Sequence, residues 1–231
     1  VQPECAFARR CGGCQLQALS YEKQLEFKTA KVRGHLERIG GFTDIPMEEI
    51  LGMEQPFHYR NKAQFPVGKS KDGRIITGFY AGRTHSIIEN RDCALGVKQN
   101  KEVLDRVIAH MEKFHIQPYD ENTGKGLVRH VLIRYGFFTD EMMVCVIING
   151  EKLPEEDILV KSLREIPETV SVMVNVNKKR NNVILGEKVR LLWGQPYITD
   201  KIGEISYQIS PLSFFQVNPY QTVRLYGKAL E

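Results

Sequence analysis

Residues 127–148, LVRHVLIRYGFFTDEMMVCVII, are dominated by β-branched and other apolar residues. Two runs, Leu127–Tyr135 and Met142–Ile148, are separated by a short polar stretch, which predicts two strands joined in a hairpin. The second run is apolar at every position, a pattern typical of a strand that is buried on both faces. The stretch therefore predicts the centre of a β-sheet, and Cys145 within it is predicted to be a small core residue.

The residues before this hairpin predict a long helix, a small meander and a second helix. Ser20 can cap a helix from Tyr21 to Ile39, because a serine hydroxyl accepts hydrogen bonds from the free amides of a first turn. Alternating apolar residues and turn residues predict three antiparallel strands near residues 63–67, 74–80 and 86–89. Apolar residues at helical spacing from Leu104 to Phe114 predict the second helix.

The residues after the hairpin continue the alternation of helices and strands. A helix is predicted over Glu155–Glu165, with Ile158, Leu159 and Leu163 facing inward. Strands are predicted at residues 170–176 and 205–209, with an exposed basic turn at 178–182, and Asn218 and Pro219 are suited to begin a last helix. The predicted fold class is α+β, a mainly antiparallel sheet with flanking helices.

Composition excludes several classes of protein. The sequence is 42% hydrophobic and 26% charged, with a net charge of +4, so its 231 residues can bury a substantial core. No run approaches the roughly 20 apolar residues of a membrane-spanning helix. An odd number of cysteines, five, is a poor disulfide framework and favours metal binding in a reducing, cytoplasmic compartment.

Four of these cysteines predict a metal centre. Cys5, Cys11 and Cys14 are clustered near the start of the sequence, and Cys93 follows the predicted meander, whose fold could return it to the first three. Three clustered ligands and one remote ligand favour a [4Fe-4S] cluster over zinc, because zinc sites usually gather their ligands as two short pairs. Zinc remains open, as does a disulfide reading in which Cys11 pairs with Cys14 and Cys5 with Cys93.

Unbalanced positive charge suggests a polyanionic partner. Phe57 and Tyr59 flank a basic step and could stack on unpaired bases. A solvated surface with incidental positive charge is the alternative. The basic candidates lie beside strands and turns: Arg60, Lys62, Arg83, Arg129, His130, Arg134 and residues 178–180.

The order of these motifs resembles one family. The segment from Cys5 to Cys14 continues as Gln15-Leu16-Gln17 and Tyr21-x-x-Gln24, followed by Tyr59-Arg60-Asn61-Lys62, Cys93, Gly126-x-x-Arg129-His130 and Ser213-Phe214-Phe215-Gln216-Val217-Asn218. This series is similar to the iron-sulfur-containing RNA uracil-5 methyltransferases, especially those that act on 23S ribosomal RNA. It spans nearly the whole sequence.

The resemblance implies a reaction and a set of contacts. In this family a cysteine thiolate adds to C6 of uracil, C5 then takes a methyl group from S-adenosylmethionine, and a base removes the C5 proton. The resemblance places Phe214 beside the flipped uridine and Gln216 against S-adenosylmethionine. Ribosomal RNA is the implied partner, and its expected contacts here are Arg60, Lys62, Arg129, His130, Arg134 and Phe214.

The resemblance also implies that successive segments of the sequence have different functions. The family's nucleophile and base follow the Gln216 motif, so no catalytic residue is expected before Glu231, and these residues are expected to be inactive alone. The implied parts are an iron-sulfur segment (1–19), a helix that would pack on the methyltransferase domain (20–41), a central α+β domain (42–212) and the start of the methyltransferase domain (213–231). The first and last helices would then lack a partner and could support self-association.

Two further interpretations concern the cluster itself. A radical enzyme is disfavoured, because the spacing is not the three-then-two pattern of radical S-adenosylmethionine enzymes. A cluster here could be redox-active, a sensor, or a clamp that ties the first residues to the Cys93 loop. The clamp is favoured, since methyl transfer needs no electrons.

A non-catalytic RNA-binding module with a structural zinc or iron-sulfur site is the alternative function.

Overall fold

A computed structural model describes all residues, Val1–Glu231. The four helices are α1 (Tyr21–Arg38), α2 (Gln99–Lys113), α3 (Glu156–Leu163) and α4 (Pro219–Leu230). The nine strands are β1 (Lys62–Lys69), β2 (Ile75–Tyr80), β3 (Ile87–Glu89), β4 (Val128–Tyr135), β5 (Met142–Ile148), β6 (Thr169–Val176), β7 (Lys188–Gly194), β8 (Ile198–Ile202) and β9 (Ile205–Ile209). No helix is both long and apolar enough to cross a membrane.

Seven strands form one sheet in the order β3-β2-β1-β4-β5-β6-β7, and β8 and β9 form a separate hairpin. The predicted β4–β5 hairpin and the β1–β2–β3 meander are confirmed, and their pairings are antiparallel. β5 and β6 are parallel, because α3 crosses between them. The mainly antiparallel α+β class is therefore correct at this level.

The two faces of the sheet have different covers. On one face, α2 and α3 pack against the odd-numbered residues Val131 and Ile133 of β4 and their neighbours, forming the larger core. On the other face, the β8–β9 hairpin covers Leu132 and Cys145 in a smaller core. Because both faces are covered, every residue of β5 is buried, which explains its continuous apolar run.

Local sequence signals correctly predicted the starts of α1 and α4, but three other predictions failed. Ser20 and Asn218 cap α1 and α4 by accepting from the amides of Lys23 and Gln221, as predicted. Ile158 was predicted to face inward but is exposed, and Val160 is buried in its place. β7 was not predicted, because only part of it is covered and its charged residues alternate irregularly. β8 was also missed.

Candidate nucleic-acid interface and thiol cluster

The first residues of the chain are held against the meander. The amide of Gly12 donates to the carbonyl of Tyr80 at 2.9 Å, and Cys11 forms a bridge with Ala81 just after β2. A side chain at position 12 would crowd that carbonyl and the backbone of Gly82, so glycine permits the close approach. Cys93 follows β3 in the same region, so the fold carries the remote cysteine toward the first three.

The pKa values of two of the four thiols, Cys14 and Cys93, are raised. Burial, followed by the neighbouring Cys93, Cys11 and Cys5, raises the pKa of the Cys14 thiol to about 11. Burial also raises the pKa of Cys93, while the amides of Leu95 and Gly96 act in the opposite direction. Because the other three cysteines act on Cys14, they lie near it, which is consistent with the predicted convergence.

Nitrogen donors surround the sulfur atoms. The amide of Gly13 lies 3.4 Å from the Sγ of Cys11, and Gln17 Nε2 lies 3.7 Å from the Sγ of Cys14. Asn90 Nδ2 lies 3.9 Å from the Sγ of Cys5. Such donors stabilise sulfur that carries negative charge, as it does when it binds a metal.

The thiols do not form a compact single-metal site. All five cysteines are free, so the disulfide reading has no support. No group of three or more His, Cys, Asp or Glu side chains is arranged to hold a metal ion. A zinc ion bound by thiolates at about 2.3 Å needs a tightly packed ligand set. The described geometry therefore supports neither a preformed zinc site nor, by itself, a cluster.

Arg60 and Lys62 form an unbalanced cationic pair beside the thiols. Burial, Arg134 and Arg60 lower the pKa of the Lys62 ammonium, so the charges that act on it are both cations. The charge of Arg60 also reaches Cys14. The Arg60 amide donates to the carbonyl of Leu95 at 2.9 Å, which fixes this segment next to the Cys93 loop. Cations gathered without a carboxylate are suited to an anionic partner.

Three of the residues predicted to bind RNA are buried instead. Arg129 is 4% exposed, donates to the carbonyls of Asn177 and Lys179, and lies over the ring of Tyr119. Arg134 is 2% exposed and donates to the carbonyls of Pro211 and Ser213. These guanidinium groups are engaged by the chain itself, so the prediction that they contact RNA does not fit this arrangement.

His130 is buried in the same strand, and neither of its ring nitrogens has a hydrogen-bond partner. Burial, and then the charge of Arg129, lowers the pKa of its imidazole to about 4. The ring is therefore neutral near pH 7 and inaccessible. His130 is thus not an exposed cation in this conformation, and its contact with RNA stays a prediction.

The segment that contains Phe214 and Gln216 shows both predicted residues outside the core. Phe214 is 86% exposed, whereas the adjacent Phe215 packs against Tyr207 with ring centroids 5.7 Å apart. Gln216 is half-buried. Adjacent residues of an extended chain point in opposite directions, so anchoring Phe215 turns Phe214 outward.

A cavity of ≈ 620 Å³ has a larger aromatic lining than the sequence predicted. Phe57 and Tyr59 line it, as do three aromatic residues that sequence reasoning missed, Phe137, Phe138 and Tyr220. The ring centroid of Tyr220 lies 5.7 Å from the ring centroid of Phe137 and 5.7 Å from that of Phe138. The missed signal was two consecutive phenylalanines in a hairpin turn, where apolar residues are unusual.

Asp200 of β8 orders that turn. Its carboxylate accepts hydrogen bonds from the amides of Phe137 and Phe138, at 3.2 and 3.0 Å. Burial raises the pKa of this carboxyl, and the two amides partly offset the effect. The phenylalanines are therefore held in place by an acid on the neighbouring hairpin.

Comparison with known proteins identifies relatives over the whole chain. The chain is 46% identical over 233 residues to an uncharacterized RNA methyltransferase of Oceanobacillus iheyensis. The match covers 100% of this chain and 50% of that protein. An uncharacterized RNA methyltransferase of Clostridium tetani is 44% identical over 232 residues, with the same coverage. Over its whole length, the chain is therefore similar to one half of proteins named RNA methyltransferases. It spans about half the length of the curated relatives it matches.

A solved structure is similar to the chain in fold. The crystal structure of Pyrococcus abyssi tRNA (uracil-54, C5)-methyltransferase in complex with S-adenosyl-L-homocysteine matches with a TM-score of 0.75 and 29% identity. The match covers 98% of this chain and 51% of that protein. No family model matches the chain.

Proposed function

We propose that this chain is the RNA-handling part of an enzyme that transfers a methyl group from S-adenosylmethionine to C5 of a uridine in RNA. The observation that carries the proposal is the structural match, over 98% of the chain, to a tRNA uracil C5 methyltransferase bound to S-adenosyl-L-homocysteine. Curated relatives named RNA methyltransferases at 46% and 44% identity support the same class.

The proposed RNA surface combines cations with exposed aromatic rings. Arg60 and Lys62 would contact phosphates, because their charges are not neutralised by nearby carboxylates. Phe214 would stand beside a uridine that has left its stack, since its ring is almost fully exposed on a well-anchored segment. The aromatic cavity lined by Phe57, Tyr59 and Tyr220 would accept an unpaired base. Gln216 would contact S-adenosylmethionine.

The nucleophile is proposed to lie outside these residues. Uracil C5 becomes nucleophilic only after a thiolate adds to C6, and a reactive thiolate needs access and a low pKa. Cys145 has neither, because it is fully buried and burial raises its pKa to about 12. The cysteine and the base would belong to the half of the relatives' length that this chain does not span.

The four converging thiols are proposed to hold a [4Fe-4S] cluster. Cys5, Cys11 and Cys93 lie close enough to Cys14 to raise the pKa of its thiol, and N–H donors face the sulfur atoms of Cys5, Cys11 and Cys14. Thiolate ligands with surrounding N–H donors suit such a cluster. When bound, it would tie the first residues to the Cys93 loop and so fix Arg60 beside it. Metal binding would release the thiol protons that burial otherwise retains.

The RNA substrate is the finer part of the proposal. The order of motifs resembles enzymes of 23S ribosomal RNA, which makes that RNA our first candidate. The structural neighbour acts on tRNA, which makes tRNA the second. Both RNAs present uridines in structured regions, so both are tested as substrates.

The test measures methyl transfer from labelled S-adenosylmethionine to transcripts of 23S ribosomal RNA and of tRNA. We expect a polypeptide of the relatives' full length that carries these residues to label C5 of uridine in one transcript. The chain alone should bind RNA without labelling it. RNA binding with no methylation by the longer polypeptide would favour the alternative, a non-catalytic RNA-binding module, and label at another atom would refute the proposed reaction.

The exposed apolar residues of the end helices are proposed to contact the remaining half of such an enzyme, or a second copy of the chain when that half is absent. They include Phe27, Val32, Ile39, Leu225 and Leu230. Light scattering during size-exclusion chromatography tests self-association, and a strict monomer at high concentration would refute it.

A further inference from the structure

We propose that Arg134 and Asn61 are positioning residues that hold residues 211–217, here called the presenting loop, so that Phe214 and Gln216 face their ligands. The inference rests on the proposed function for what Phe214 and Gln216 contact. The restraint of the loop itself rests on the contacts described next.

Arg134 holds the first half of the presenting loop. Its guanidinium donates through Nη2 to the carbonyls of Pro211, at 3.3 Å, and of Ser213. The side chain is buried on β4, so the donor group is fixed by the sheet. Burial lowers the pKa of Arg134 to about 10, which leaves it charged at pH 7, and hydrogen bonds from a charged donor are stronger than neutral ones.

Asn61 holds the second half. Its Nδ2 donates to the carbonyl of Gln216 at 2.8 Å, and its backbone amide donates to the carbonyl of Val217 at 3.1 Å. The Asn61 carbonyl in turn accepts from the amide of Tyr135 at 2.9 Å. Asn61 therefore links the presenting loop to the end of the same strand that carries Arg134.

The remaining contacts of the loop are consistent with a fixed display. Ser210 and Ser213 close a small turn, in which the Ser210 amide donates to the Ser213 hydroxyl at 3.0 Å. Phe215 is anchored against Tyr207. The loop contains no helix or strand, so side-chain and backbone bonds from β4, Asn61 and this turn determine its path. Phe214 is left as the exposed ring.

Arg129 provides a matched control. It is buried in the same strand and also donates to backbone carbonyls, but these belong to Asn177 and Lys179 in a different loop. Replacing either arginine by methionine removes a buried charge and its carbonyl contacts. Only the Arg134→Met change should release the presenting loop.

Limited chymotrypsin digestion measures the release directly, because cleavage after Phe214 requires local opening of the loop. Two lost bonds from a charged donor should raise the cleavage rate in Arg134→Met by about tenfold or more. Arg134→Lys should give a smaller increase, because lysine retains the charge but not the planar fork. Arg129→Met should stay near the parent rate at this bond. An Arg134→Met rate equal to that of the parent or of Arg129→Met would overturn the inference.

A double-mutant cycle then tests whether the restraint serves RNA binding. The probe is a single-stranded oligouridine, measured by fluorescence anisotropy with Phe214→Ala, Arg134→Met and the double variant. If Arg134 acts through Phe214, the two losses of affinity will not add. Additive losses would overturn the positioning role. An intact affinity in Phe214→Ala would refute the proposed RNA contact while leaving the digestion result to judge the loop.

Discussion

Replacing His130 by asparagine should remove a defined part of the pH dependence of folding. The imidazole is buried with no hydrogen-bond partner on either nitrogen, and its pKa falls from 6.5 to about 4. Between these pH values the unfolded chain binds a proton that the folded chain does not, so stability rises with pH in this window. At 1.36 kcal/mol per pH unit, the protonation of unfolded His130 costs the fold up to about 3 kcal/mol by pH 4.

The measurement is urea unfolding in the presence of a reductant, followed by circular dichroism from pH 4 to 7.5. The free energy of unfolding of His130→Asn is subtracted from that of the parent at each pH. Above pH 6.5 this difference in the free energy of unfolding should be constant. As the pH falls toward 4, the parent should lose up to about 3 kcal/mol of stability relative to His130→Asn. His110, whose pKa is also lowered by burial, is retained in both proteins and cancels. Parallel profiles would show that His130 is not a buried neutral base.

Three further outcomes test the site. Anaerobically prepared protein should contain iron and sulfide and lose both in Cys93→Ala, and zinc without iron would contradict the cluster. Lys62→Met should weaken oligouridine binding and reduce the slope of log affinity against log salt by about 0.7, whereas Lys179→Met, whose ammonium is paired with Glu187 at 2.8 Å, should change the slope less. Cys145 should resist iodoacetamide in the folded chain and react after unfolding, and rapid alkylation under native conditions would show that its strand is accessible.

The parts of the fold that could be predicted from sequence are those with one strong local cause. The continuous apolar run of β5 required burial on both faces, and the structure supplies α2 and α3 on one face and the β8–β9 hairpin on the other. β7 has no such signal. It packs at the end of the sheet, and its arginine at position 190 pairs with Glu156 of α3 at 2.7 Å, a contact that local periodicity does not encode.

The candidate site likewise has parts with a strong local sequence signal and parts without one. The spacing of the first three cysteines is a local signal, and the fold brings their segment to Tyr80, beside the Cys93 loop. For the charged residues of β4, the local sequence does not show whether the side chains are exposed. A basic residue beside a strand predicts an exposed cation only when nothing covers that face, and the cover here comes from a loop about 80 residues later in the chain.

Burial gives the arginines of β4 a structural role in place of direct contact with a partner. A buried guanidinium without a carboxylate partner costs free energy unless its donors are used. Arg129 and Arg134 use Nη donors on the backbone of two loops, although the Nε of each has no partner. One of those loops carries the exposed ring of Phe214. The cations that remain unneutralised, Arg60 and Lys62, flank the asparagine that holds the other end of that loop. The proposed RNA surface is therefore formed by a few accessible groups, Phe214, Arg60 and Lys62, and the buried Arg134 holds the loop that carries Phe214.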